Sequence, residues 1–196
     1  MTYFLDLGTT KVACLAAEIG EHGDVIAKAA AHTDCRGLQK SVVTNLEATC
    51  ESIDEVIRRV RTSTGEQPSA LVVNVNGAHL EGINAQGFVP IYPGTRAITR
   101  EDVLHVINHS RQILPSPDRE QLQAMPREFR IDGARGIQRP IGLSGSRLEV
   151  VTHIITGASA VIHNIDTAVQ MAGFKVDQFV SQPVANVPAP ELTKKG

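Results

Sequence analysis

The residues Asp6-Leu7-Gly8-Thr9-Thr10-Lys11 combine types and spacing suited to phosphate chemistry. A tight turn between two strands aims successive backbone N–H groups into one concavity, and such a concavity attracts anions. Gly8 permits close approach of the backbone to a ligand and an unusual φ. Thr9 and Thr10 add hydroxyl donors, and Lys11 adds a point charge. A carboxylate at Asp6 would repel phosphate directly. Its useful chemistry is to hold Mg²⁺ through water, because Mg²⁺ keeps much of its hydration shell and takes few carboxylates. Gly8, Thr9, Thr10 and Lys11 are therefore candidate phosphate ligands, and Asp6 is a candidate metal-linked catalytic residue. Asp, Gly and Thr also make ordinary β-turns. The position of the hexapeptide, between two apolar runs, favours the phosphate site.

Other chemistry-bearing residues are less organised. Cys14, Cys35 and Cys50 match no zinc spacing, and an odd count argues against a disulfide framework. They are expected to be small apolar residues in a reducing compartment. His105 and His109 stand at i and i+4, a spacing compatible with a metal, but no Glu or third ligand accompanies them. No pair of carboxylates and no Ser-His-Asp set suggests an independent active site.

The elements that must position the hexapeptide follow from periodicity. Tyr3 to Leu7 and Lys11 to Ile19 read as strands around it, and Val25 to His32 as a third, giving a meander. Thr44-Asn45-Leu46-Glu47 has the form of a capping box with the hydroxyl first. Ile53, Val56, Ile57 and Val60 then fall on one helical face, with Gly65 as the stop. Leu71 to Val75 reads as a buried strand, so the first block is β-β-β-α-β. The rhythm changes from about residue 80. His79 to Ile91 reads as strand. Thr99 caps a helix with Val103, Val106, Ile107 and Ser110 on its face, stopped by Leu114-Pro115-Ser116-Pro117. Gln121 to Ile131 reads as a strand in which Pro126 implies an edge or a bulge, and Asp132 to Gly136 as a turn. Arg147 to Thr156 closes a β-α-β-β block. After Gly157 the first rhythm returns, with a helix over Ala158 to Ala172 (face Val161, Ile165, Val169) and a buried strand over Val176 to Val180. The domain boundaries are expected at 1–79, 80–157 and 158–196.

Composition sets the outer limits. The chain has 196 residues, 42% of them apolar, enough for a core. The formal net charge of −2 and the lack of Trp give no basic face and no base-stacking platform, so nucleic acid is not an expected partner. The N-terminus lacks a basic n-region and Asp6 interrupts its apolar run, so no signal peptide is expected. No stretch approaches the ~20 apolar residues of a membrane span. A cytoplasmic location is expected.

With these residues in place, the chain resembles the actin/Hsp70/sugar-kinase superfamily, whose first phosphate loop is an Asp-x-Gly-Thr-Thr hairpin. Within it the closer resemblance is to the FtsA family of bacterial cell-division proteins. It rests on Leu5 to Val12, Arg36-Gly37-Leu38-Gln39-Lys40-Ser41-Val42-Val43 and Asn45-Leu46-Glu47-Ala48-Thr49. It rests also on Pro126-Arg127-Glu128-Phe129-Arg130-Ile131-Asp132-Gly133, Gly142 to Glu149 and His153-Ile154-Ile155-Thr156-Gly157-Ala158. It runs from residue 3 to about residue 186. The fold it implies is α/β: a partial actin-like (ribonuclease H-like) domain 1A, with an inserted strand-helix-strand-strand domain 1C in place of an actin subdomain. PilM and the Hsp70 chaperones are expected to lack the insert.

The resemblance implies function as well. Gln182-Pro183 matches a superfamily motif in which Gln182 faces the nucleotide and positions the attacking water. The implied cofactors are ATP and Mg²⁺ in the full-length protein, with at most weak ATPase activity and none expected to bind this chain alone. The implied role is a scaffold of the divisome that anchors the FtsZ ring to the membrane, self-associates into actin-like filaments and meets other division proteins through 1C. Its location would be the cytoplasmic face of the inner membrane at the septum. FtsA proteins continue beyond Gln-Pro into an Ala-rich helix, a second phosphate loop, a second lobe and a C-terminal amphipathic membrane helix. Here Val184 to Pro190 departs from that pattern. An ATPase or kinase of the same superfamily is the alternative.

Overall fold

The computed structural model describes residues 1–21, 24–112 and 116–181. The chain divides into two compact units. The first holds Met1–Leu80 and the segment from Ala158 onward, and the second is Glu81–Gly157.

In the first unit the elements are β1 (Thr2–Leu7), β2 (Lys11–Ile19), β3 (Val25–Asp34), β4 (Leu38–Gln39), β5 (Val42–Val43), α1 (Leu46–Thr64) and β6 (Ala70–Val75). The second contributes β7 (Glu81–Pro90), β8 (Arg96–Ala97), α2 (Arg100–Arg111), β9 (Arg119–Ile131), β10 (Ala134–Ile137), β11 (Ser144–Gly145) and β12 (Arg147–Ala158). Then α3 (Ser159–Met171) and β13 (Lys175–Ser181) complete the first unit.

The first unit is a five-stranded mixed sheet in the order β13-β6-β1-β2-β3. β1 runs antiparallel to β2, and β2 to β3, while β6 is parallel to both β1 and β13. Alternation along β1 buries Tyr3, Leu5 and Leu7 and leaves Thr2, Phe4 and Asp6 half-buried on the other face. Ile53, Val56, Ile57 and Val60 of α1 are buried, and α1 packs over β2 and β3 and against α3. One side of the sheet is therefore the core, and Asp6 lies on the opposite side.

Several local expectations change. The N-cap of α1 is Asn45, whose side chain accepts the Ala48 N–H at 3.0 Å. Thr44 instead donates its hydroxyl to the Gly37 carbonyl, so the capping box is absent. Gly65 does end the helix, in the left-handed region at φ 75°. In α3 the buried face is Ile162, Ile165, Ala168 and Val169, one position on from the expected Val161. β13 is an edge strand with a register shift, and most of its residues are accessible rather than buried.

The second unit is a four-stranded sheet, β10-β9-β12-β7, with α2 on one face. Its core gathers Ile91, Ile98, Val106, Phe129, Ile131, Leu148 and Val150. Thr99 and Asp102 form a reciprocal capping box at the start of α2. Arg96 adds two hydrogen bonds to the Asp102 carboxylate, at 2.7 and 2.8 Å. The strand-helix-strand-strand skeleton gains three short strands, β8, β10 and β11. β10 occupies most of the segment expected as a turn, and the turn itself contracts to Asp132-Gly133. Pro126 is tolerated in β9, an interior strand, because β10 pairs only over Phe129 to Ile131 and leaves that flank open at the proline. Of the residues expected to stop α2, 113–115 lie outside the described residues.

Candidate phosphate site

The hairpin between β1 and β2 holds the candidate residues. Leu7 pairs with Val12, and Gly8, Thr9 and Thr10 form the connection. Gly8 closes it by donating its N–H to the Lys11 carbonyl at 3.0 Å. The Thr10 carbonyl accepts the Cys35 N–H at 3.0 Å, which ties the turn to the end of β3. Gly8 does not occupy the left-handed region, contrary to the sequence expectation. Its requirement is steric: a Cβ there would stand 3.0 Å from the Lys11 carbonyl oxygen.

The donor set is correspondingly narrower than the sequence suggested. The Gly8 N–H is spent inside the turn. The Thr9 and Thr10 amides and hydroxyls carry no hydrogen bond among the described residues, and both residues are exposed. Lys11 is exposed at the start of β2. These donors fit an anion at the tip of the hairpin.

Asp6 stands two rows below that tip, past the Leu7–Val12 pair. Register places His32, Ala13, Asp6, Asn74 and Val180 side by side across all five strands. Asn74 donates its Nδ2 to Asp6 Oδ1 at 2.7 Å. The Asn74 Oδ1 is buried and has no partner among the described residues. Sequence reading missed Asn74, because Leu71 to Val75 looks like a plain buried strand. His32, Asp6 and Asn74 of this row are polar lining residues of a concavity of about 720 Å³ on the sheet face away from α1. Its floor is apolar, with Phe4, Leu15 and Val72 among the lining residues. A hydrated Mg²⁺ suits the half-buried Asp6, a hard carboxylate with one oxygen still uncommitted to Asn74. Gln182 lies outside the described residues.

The remaining candidates take structural places. The cysteines are free thiols, and burial pushes Cys14 up to about 11. His109 accepts the Phe88 N–H through Nδ1 at 3.1 Å and meets the Phe88 ring edge-on. Among the described residues, no helix is long and apolar enough to cross a membrane.

Comparison with known proteins accounts for this arrangement. Residues 77–156 match the family described as the SHS2 domain inserted in FtsA. Over 182 residues the chain is 37% identical to cell division protein FtsA of Borreliella burgdorferi, covering 93% of this chain and 44% of that protein. Identity to the FtsA of Neisseria meningitidis is 32%, with the same coverage. Identity to that of Escherichia coli K12 is 31%, covering 93% of this chain and 43% of the relative. The chain thus spans less than half the length of the curated relatives it matches. A solved structure, the PilM-PilN type IV pilus biogenesis complex, superposes with a TM-score of 0.59 at 15% identity, covering 94% of this chain and 48% of the other. That likeness shows the actin-like fold. It also corrects the expectation that PilM lacks the insert, since a relative without residues 81–157 could not reach such coverage. With residues 77–156 matching the SHS2 domain and 93% of its length aligned, this chain has an actin-like fold and is similar to part of the FtsA cell division proteins.

Proposed function

We propose that this chain is the domain 1A and 1C portion of a divisome scaffold, with boundaries near residues 80 and 157. In the full-length protein the Gly8–Lys11 hairpin would bind the phosphates of ATP. The observation that carries the proposal is the hairpin itself: unspent Thr9 and Thr10 donors above Asp6, on a sheet ordered β13-β6-β1-β2-β3. Asp6 would hold Mg²⁺ through water, Lys11 would add charge near the phosphates, and Gln182 would position water. Mg²⁺ supplies charge neutralisation at the phosphates when bound. The hairpin's part is to fix the anion, and Asp6's part is to orient a hydration water.

Self-association, contact with FtsZ and other division proteins, and location at the cytoplasmic face of the inner membrane at the division site belong to the same proposal. The support is the family match. The proposed contact surfaces are the exposed face of α2, where Arg100, Glu101, Leu104, His105 and Arg111 are accessible or half-buried, and strand β7.

One hairpin offers few contacts against the entropy of association. This chain alone is therefore expected to bind ATP at about millimolar affinity or weaker. Titration calorimetry with Mg-ATP tests this, and micromolar affinity would refute it. Charge reversal at Arg111 tests the α2 surface. Unchanged assembly and unchanged FtsZ co-sedimentation of the full-length protein would remove α2 from the proposal. Phosphate release abolished by Asp6→Ala would favour the ATPase alternative.

A further inference from the structure

We infer that Asn74 is a positioning residue for Asp6: its amide holds one carboxylate oxygen so that the other is presented toward the phosphate hairpin. The inference rests on the proposed phosphate site.

Three observations support it. First, the registers put Asn74 directly beside Asp6 on parallel strands, both on the sheet face away from α1. Second, the contact is short, 2.7 Å from Nδ2 to Oδ1, and its direction is fixed. Turning the amide over would set its oxygen against a carboxylate oxygen, two acceptors with no proton between them. Third, the Asn74 Oδ1 is buried and unpartnered among the described residues. A buried acceptor without a donor costs stability. Fold stability alone would be served as well by an apolar residue of similar size at this position. What the amide contributes is its N–H on Asp6.

The consequence is a division of labour within one carboxylate. Oδ1 is committed to Asn74. Oδ2 is left to orient a hydration water of a divalent cation. Without the amide, the carboxylate can rotate and its outward oxygen is no longer fixed. Partners that orient a directly ligating group change metal affinity by roughly 10- to 100-fold when removed, and a smaller loss is expected at Asp6, which reaches the cation through water.

The test uses the 196-residue chain labelled with ¹⁵N. Mn²⁺ is titrated first alone and then with inorganic pyrophosphate, and paramagnetic broadening is followed at the Asp6 and Gly8 amides. Shifts at Thr9 and Thr10 report pyrophosphate separately. Asn74→Leu is expected to raise the Mn²⁺ midpoint more than twofold. It should leave the pyrophosphate shifts in place and the melting temperature unchanged or higher. A purely structural role would show the reverse pattern, a lower melting temperature with the Mn²⁺ midpoint unmoved. A midpoint within twofold of the parent chain overturns the inference. So does the absence of Mn²⁺ broadening at Asp6 in the parent chain. Failure of Thr9 and Thr10 to respond to pyrophosphate, with Mn²⁺ still seen at Asp6, would instead sink the phosphate-site proposal.

Discussion

Two glycines of one strand should respond in opposite ways to the same substitution. Gly87 lies beneath α2. A Cβ built there would stand 2.6 Å from both the Ser110 nitrogen and the Val106 carbonyl oxygen, and 2.8 Å from Ser110 Cβ. Two of those atoms are helix backbone, which cannot swing aside. Gly82, five residues earlier in β7, also meets close atoms. These are Cε1 and Nε2 of the His153 ring, at 2.7 and 2.8 Å. That ring is the far end of a side chain, held by one accessible hydrogen bond to Asn84 at 2.9 Å. Replacing glycine by alanine in a strand recovers about 0.5–1 kcal/mol of backbone entropy at either position. Overpacking against an immovable neighbour costs about 1–3 kcal/mol. The clash should win at Gly87 and lose at Gly82.

Gly87→Ala is therefore expected to destabilise the second unit by about 2 kcal/mol, and Gly82→Ala to be neutral or slightly stabilising. Hydrogen exchange is the suitable assay, because two units need not unfold together. The amides of Val106 and Leu148 report the second unit, and those of Leu5 and Val73 the first. A loss of about 2 kcal/mol appears as a roughly 30-fold fall in protection. It should be confined to Val106, Leu148 and their neighbours. Equal effects of the two substitutions would refute the steric reasoning, as would any gain of protection in Gly87→Ala.

Three further outcomes are expected. Arg96, then the Thr99 amide and hydroxyl, hold the Asp102 carboxyl well below the usual carboxylate range. Its folded pKa lies below the unfolded value of about 3.9, so its contribution is present above about pH 4 and is lost as pH falls from there toward the folded value. Asp102→Asn should flatten the acid limb of a melting-temperature profile of the second unit, and an unchanged limb would contradict the assignment. Asn45→Ala should cost about 1 kcal/mol by urea unfolding of the first unit, and Thr44→Ala clearly less, because only Asn45 caps α1. Cys14 should be alkylated by iodoacetamide at pH 8 more slowly than Cys35 or Cys50: burial raises all three thiols, and it pushes the fully buried Cys14 up to about 11. Equal rates, read by mass spectrometry, would show that the first unit opens freely.

Much of the fold was legible from short apolar runs and one helical period. Apolar runs bounded by turn residues located β1, β2 and β6, and the 3.6 period of Ile53, Val56, Ile57 and Val60 located α1. Local errors arose where neighbouring residues could do the same work. Thr44 and Asn45 are both capping types, and backbone geometry chose Asn45. Val161 and Ile162 are both apolar, and packing chose Ile162. The two-residue strands β4, β5, β8 and β11 are too short to carry a period. Burial of β13 was overestimated for a different reason. A short strand segment such as Val176 to Val180 does not reveal whether it has one neighbour or two, and this one lies at the sheet edge.

The site divides along the same line. Asp6, Gly8, Thr9, Thr10 and Lys11 are consecutive, so a turn brings them together and the sequence displays them together. Asn74 is 68 positions from Asp6 and joins it only through the parallel register of β1 and β6. A polar residue at a half-buried position of an otherwise apolar strand was the available signal, because such a group needs a partner. That signal names the need and not the partner. The same logic limits what the hairpin can be by itself. Its Gly8 amide is already used, its two threonines face outward, and its carboxylate is half committed to Asn74. Each group is arranged for an anion and a hydrated cation, but together they are too few to hold one tightly. Binding strength must come from contacts that these residues orient and do not themselves supply.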